Sequence, residues 1–154
     1  MVNVMSGTEM HDAIMAQYDN ADIIVMAAAV SDYRPGKTMA QKLKKGTKSI
    51  ELELVPNPDI LKKLGAKKKK SKRPLLIGFA AESMEHLEAG QRKLKEKNLD
   101  LIVINDILGK DTGFGTDTNQ VSLIDRDYQL EKLPLVTKEE CAEMIWDKVA
   151  KLRQ

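Results

Sequence analysis

Short apolar runs along the chain alternate with longer stretches in which apolar residues recur at helical spacing. Ile23-Ile24-Val25-Met26 leading to Val30, Leu75-Leu76-Ile77-Gly78-Phe79-Ala80-Ala81 and Leu99 to Ile104 are near-continuous apolar runs, the pattern of strands covered on both faces. Helical spacing appears in Met10, Ala13, Ile14 and Gln17-Tyr18 behind a capping box at Ser6-Gly7-Thr8-Glu9. It recurs in Ile60, Leu61 and Leu64 behind Asn57-Pro58-Asp59, where proline suits a first helical turn, and in Leu87, Gly90 and Leu94 between Glu85 and Lys97. Strand and helix alternating over such short crossovers predict parallel strands with helices on both faces. Val2-Asn3-Val4-Met5 reads as one more strand, and the helix after Pro58 is expected to end at Gly65.

Two segments depart from this alternation. Residues 34–58 are polar and lysine-bearing at first, and then alternate as Ser49-Ile50-Glu51-Leu52-Glu53-Leu54-Val55, which predicts a projecting arm with a half-exposed antiparallel strand. Toward the C-terminus, Gln120 to Ile124 and Tyr128 to Leu133 flank Asp125-Arg126-Asp127 as a hairpin. Thr137-Lys138-Glu139-Glu140 then caps a last helix that turns Cys141, Met144, Ile145, Val149 and Leu152 inward. The reading is one α/β domain over residues 1–154.

At 154 residues the chain can bury a core without disulfide or metal staples. Its lone Cys141 cannot form an internal bridge, and no leader or spanning-length apolar run is evident, so a soluble cytoplasmic protein is expected. The 25 basic residues nearly balance 23 acids, leaving local clusters to carry any electrostatic argument. Lys67 to Arg73 is the densest. It lies between Gly65 and Pro74 without interleaved aromatics, so it reads as a solvated loop in which Lys68 is dispensable, with an RNA-binding stripe as the rival. His11 and His86 with one cysteine give no zinc-ligand spacing. Gly113-Phe114-Gly115 does not follow the first strand, so Gly109 to Asn119 reads as a flexible loop.

The chemistry gathers at strand ends. Ala27-Ala28-Ala29-Val30-Ser31-Asp32-Tyr33-Arg34-Pro35, Gly78-Phe79-Ala80-Ala81-Glu82 and Asn105-Asp106 each deliver small or polar residues to one rim of the sheet, the rim at which open α/β sheets bind ligands. Lys42-Leu43-Lys44-Lys45 on the arm suits the dispersed charge of a polyphosphate, and Lys93 and Lys97 share a helix face. Asp32 is the natural carboxylate for a nucleotide-borne magnesium ion.

Taken in order with Asn57-Pro58-Asp59-Ile60-Leu61 and the Leu133-Pro134-Leu135 turn, these motifs closely resemble the phosphopantothenoylcysteine synthetase family, the ligases of coenzyme A biosynthesis. The resemblance implies a Rossmann-like three-layer sandwich that forms a homodimer through the arm. It also implies a CTP-dependent reaction that joins 4′-phosphopantothenate to cysteine through an acyl-cytidylate. Family nucleotide contacts fall on Ala28, Asp32, Lys42, Asn57, Pro58, Asp59, Ile60, Phe79, Lys93 and Lys97, with Asp32 on the metal side and Lys42 catalytic on a closing loop. Family members begin with a glycine-rich strand and an Asn-x-Ser-Ser-Gly segment, often behind a fused flavin-dependent decarboxylase, and none of these is found in this sequence. The expectation is therefore the CTP-binding and dimerisation portion of the ligase, with a nucleotide-binding module lacking turnover as the alternative.

Overall fold

The computed structural model describes residues 1–37, 41–42, 49–69, 71–82, 87–106 and 115–153. Helix α1 (Gly7–Gln17) starts where the Ser6 hydroxyl accepts the Glu9 N–H at 3.2 Å, and it runs into a 3-10 turn at Tyr18–Asn20. Strand β1 (Ile23–Met26) follows, then the pair β2 (Tyr33–Pro35) and β3 (Leu54–Pro56). Helix α2 (Ile60–Lys68), strand β4 (Leu75–Glu82), helix α3 (Leu87–Glu96) and strand β5 (Leu101–Asp106) complete the βαβ part. The C-terminal part holds β6 (Thr118–Asn119), β7 (Val121–Asp125), β8 (Leu130–Lys132), β9 (Val136–Thr137) and helix α4 (Lys138–Leu152).

The main sheet runs β1-β4-β5-β7-β8, with β1, β4 and β5 parallel and β7 and β8 antiparallel. Sequence parity divides its two faces. Leu76, Ile102, Ile104 and Ile124 join α1, α2 and α3 in one core, whereas Leu75, Ile77, Leu101, Val103, Val121 and Leu123 join α4 in the other. That is the three-layer sandwich with a hairpin and closing helix expected from the sequence, and α4 carries the capping box between Thr137 and Glu140.

Four expectations are corrected. Val2 to Met5 form no strand, because the Met5 N–H is taken by the Glu9 carboxylate at 2.7 Å and so serves the α1 cap instead of a ladder. Among the described residues β1 is the end strand of the sheet, and Val2, Val4, Met10, Ile14, Ile23 and Val25 line an apolar groove beside it. Helix α2 runs through Gly65 to Lys68, since the Asn98 side chain donates to the carbonyls of Gly65 and Lys69 at 3.1 and 2.9 Å and carries the helix end past the glycine. The Lys67–Arg73 run is anchored rather than freely solvated. Lys67 lies 4.3 Å over the Tyr18 ring and 3.1 Å from Asp19, Lys68 is buried against Asp100, and Arg73 sits 2.8 Å from Asp22. The arm strand is shorter than its alternation suggests: the β2–β3 ladder closes at Pro35 and Leu54, with one further bond from the Gly36 N–H to the Glu53 carbonyl. Leu43 to Lys45, His86, Gly113 and Phe114 lie outside the described residues.

Candidate functional site

Beyond the carboxyl ends of β1 and β4 lies a crevice of about 470 Å³. Its first wall is the β1 exit, where Ala28 and Ala29 keep the backbone accessible and Asp32 stands exposed at the lip. The opposite wall is the entry to α2. Asp59 is its N-cap, accepting the Lys62 N–H at 3.0 Å, and Ile60 is buried beneath as part of the core. Phe79, in the second half of β4, is 37% exposed and presents an apolar ring to the opening. Lys93 and Lys97, one turn apart on α3 and just past its end, complete the lining.

All of the nucleotide contacts carried over by resemblance therefore line one cavity except Lys42, which is exposed on the arm. Lys97 is not idle: its Nζ lies 3.0 Å from one Asp59 carboxylate oxygen and 3.2 Å from the other. The negative side chain at the α2 N-terminus is thus balanced by the cation that faces the same opening. Among the described residues no group of three or more His, Cys, Asp or Glu side chains gathers to hold a metal. Asp32 and Asp59 are carboxylates of the crevice lining, and Asp59 is paired with Lys97.

A network that the sequence alone does not reveal holds the two walls together. The Asn57 amide N–H donates to the Asp32 carbonyl at 2.7 Å, and its Nδ2 donates to the Ser31 carbonyl at 2.8 Å. The Arg34 guanidinium reaches the Pro56 carbonyl at 2.5 Å and the Asn57 Oδ1 at 3.5 Å. Ser31 and Asn57 belong to the crevice lining, and Arg34 stands just behind it on β2. Their only signal in the sequence is the pairing of an arginine after a strand end with an asparagine before a helix-opening proline.

Fold and site together define an α/β domain with a polar, lysine-bearing ligand crevice at the carboxyl edge of a mostly parallel sheet. Residues 1–152 match the DNA/pantothenate metabolism flavoprotein C-terminal domain, and the chain belongs to that family. Among curated relatives, the Coenzyme A biosynthesis bifunctional protein CoaBC of Bacillus subtilis (strain 168) is 39% identical over 151 residues, covering 98% of this chain and 36% of that protein. Its Escherichia coli (strain K12) counterpart is 37% identical over 151 residues, with 96% and 36% covered. The crystal structure of the C-terminal domain of CoaBC superposes with a TM-score of 0.77 at 39% identity, over 98% of this chain and 66% of that one. A Cab2 mutant in complex with phosphopantothenate-cysteine shares the fold, with a TM-score of 0.61 at 17% identity over 99% of this chain and 55% of its own. The chain thus spans little more than a third of the length of these curated relatives. No helix among the described residues is long and apolar enough to cross a membrane.

Proposed function

We propose that the crevice binds CTP and that this chain forms the nucleotide-binding portion of a phosphopantothenate–cysteine ligase acting in coenzyme A biosynthesis. One observation carries the reading: Asp32, the α2 entry at Asn57 to Ile60, Phe79, Lys93 and Lys97 converge on a single cavity from four separate segments. Each group suits part of a nucleoside triphosphate. The ring of Phe79 gives an apolar face for the base, the first turn of α2 offers backbone donors, and the two α3 lysines offset phosphate charge. Asp32 is placed to hold, through one carboxylate, a magnesium ion that arrives with the phosphates and neutralises their charge. Lys42, on the arm, adds charge when that segment folds over the ligand.

In the reaction proposed, a carboxylate oxygen of 4′-phosphopantothenate attacks the α-phosphorus of CTP and pyrophosphate leaves. The amine of cysteine then displaces CMP from the acyl-cytidylate to form the amide. The protein's share is positioning and charge neutralisation, with water excluded from the acyl-phosphate bond. Homodimerisation through the arm belongs to the same reading, supported by Ile50, Leu52 and Leu54, which are 58, 64 and 57% exposed on one alternation. The rival RNA-binding reading loses its support once Lys67, Lys68 and Arg73 are engaged within the domain.

Calorimetric titration with CTP and magnesium, with ATP as comparator, tests the site. Preferential CTP binding supports the proposal, and equal or absent binding of both at millimolar ligand overturns it. Pyrophosphate release with 4′-phosphopantothenate, cysteine and CTP, run on this chain and on one extended by the family's N-terminal segment, then separates a working ligase from a binding module without turnover.

A further inference from the structure

The geometry points to Arg34 and Asn57 as a coupled pair of positioning residues that sets the distance between the two walls of the crevice. The inference deepens the nucleotide-site reading and rests on it for the ligand, though not for the pair itself. The Asn57 side chain, though it lines the crevice, is already occupied: Nδ2 donates to the Ser31 carbonyl at 2.8 Å, and Oδ1 faces the Arg34 guanidinium at 3.5 Å. Its amide is also committed, to the Asp32 carbonyl at 2.7 Å.

Two segments meet on this one carboxamide: the β1 exit is held through Ser31 and the arm base through Arg34, while the Asn57 backbone N–H adds a second tie to the β1 exit at Asp32. Asn57 precedes Pro58, and so its backbone is biased toward an extended form that cannot begin the helix itself. The side chain fixes where that extended residue sits, and hence where Asp59 opens α2 relative to Asp32. Arg34 completes the arrangement with one guanidinium nitrogen that donates to two acceptors, the Pro56 carbonyl and the Asn57 Oδ1. Asp32 and Asp59 line the same crevice, and the offset between their two walls is set through Asn57 and Arg34.

The test compares wild type, Arg34→Gln, Asn57→Ala and the double variant in two measurements. One is hydrogen exchange of peptides covering residues 27–37 and 54–61, and the other is CTP affinity by calorimetry well below the melting temperature. Each single change is expected to speed exchange at both walls and to weaken CTP binding about tenfold, with the double variant no weaker than about twofold beyond the worse single. A merely structural role lowers the melting temperature and leaves CTP affinity of the folded protein unchanged, and that result overturns the inference. So does additivity of the two changes, or exchange that rises at only one wall. Should wild type bind no CTP, the nucleotide reading falls, while coupled exchange at both walls still decides whether the pair exists.

Discussion

Lys68 and Asp100 form an ion pair inside the domain, each side chain only 5% exposed, with partners 32 positions apart in sequence. Asp100 also accepts the Leu76 N–H at 2.7 Å and faces Arg126 at 3.4 Å, so one carboxylate joins α2, β4 and the hairpin turn. Removing one partner from such a pair leaves a buried charge without its main counterion, which typically costs about 3 kcal/mol. Lys68→Ala is therefore expected to lower the free energy of urea unfolding by about that amount without altering CTP affinity. A variant as stable as wild type would return this lysine to the surface.

Gly65→Ala should destabilise the protein, against helix propensity, which favours alanine in a helix interior by about 1 kcal/mol. An added Cβ would stand 1.9 Å from the Lys97 carbonyl oxygen, so α2 or the end of α3 must move. Because that turn carries Lys97, thermal melting and CTP affinity are expected to fall together. A gain in melting temperature would show that the two helices are not in tight contact.

Asp125 and Lys148 bind the hairpin to α4 at 2.9 Å. Burial pushes the Asp125 carboxyl upward. The hydrogen bonds from Lys148, Gln129 and Asp127 and the lysine's charge outweigh that and hold it below its ordinary 3.8. The hydrogen bond to Asp125, ahead of the cost of burial, raises Lys148 above 10.5. The Asp125 contribution is thus fully present above pH 3.8 and lost as pH falls through its lower folded value, whereas that of Lys148 is present below pH 10.5 and lost as pH rises through its higher one. Stability curves of wild type and Lys148→Met should run apart at neutral pH and converge in acid, and a gap that ignores pH would argue that the contact is not electrostatic.

Lys97→Ala is expected to weaken CTP binding about tenfold or more, because a charge-assisted contact to phosphate is lost from a partly enclosed site. Its pair with Asp59 is 26 and 43% exposed, so the stability cost should stay near 0.5 kcal/mol. Calorimetry and melting on the same samples separate the two. A large fall in melting temperature with intact affinity would mean that the lysine serves the fold.

Ile50→Asp with Leu52→Asp should abolish self-association in light scattering while leaving the melting of the main domain intact, since both side chains are exposed and belong to neither core. A monomeric parent would remove the basis for the arm interface.

The sheet, its parallel half and the closing helix were legible in the sequence because each rests on local patterning, whereas Asn57 to Ile60 and Phe79 were placed at the crevice by the family resemblance. Continuous apolar runs announce doubly covered strands, and proline or threonine with acids announces helix starts. Lys68 was not legible, since a lysine in a basic run looks solvated and its partner lies 32 residues away. Gly65 misled for a related reason. Its missing Cβ reads locally as a breaker, but its use is to let another helix end approach. Arg34 and Asn57, 23 residues apart, meet only because the arm returns to its own base.

Both faces of the central strands β4 and β5 are packed in apolar cores, and this removes the usual safeguard of register, under which a slip by one residue would turn greasy side chains toward water. Volume takes over the role of polarity. A Cβ on Gly90 of α3 would fall 2.4 Å from Ile104 Cδ1, and one on Gly78 of β4 would fall 2.9 Å from Leu99 and 3.0 Å from Leu61. These vacancies act as keyholes for Ile104 on one side and for Leu99 and Leu61 on the other, so a side chain added at either glycine would force those neighbours to move. Because Phe79 follows Gly78 directly in β4, a side chain at Gly78 that pushes Leu61 and Leu99 aside is expected to shift the ring at the mouth of the crevice with no change of charge or hydrogen bonding.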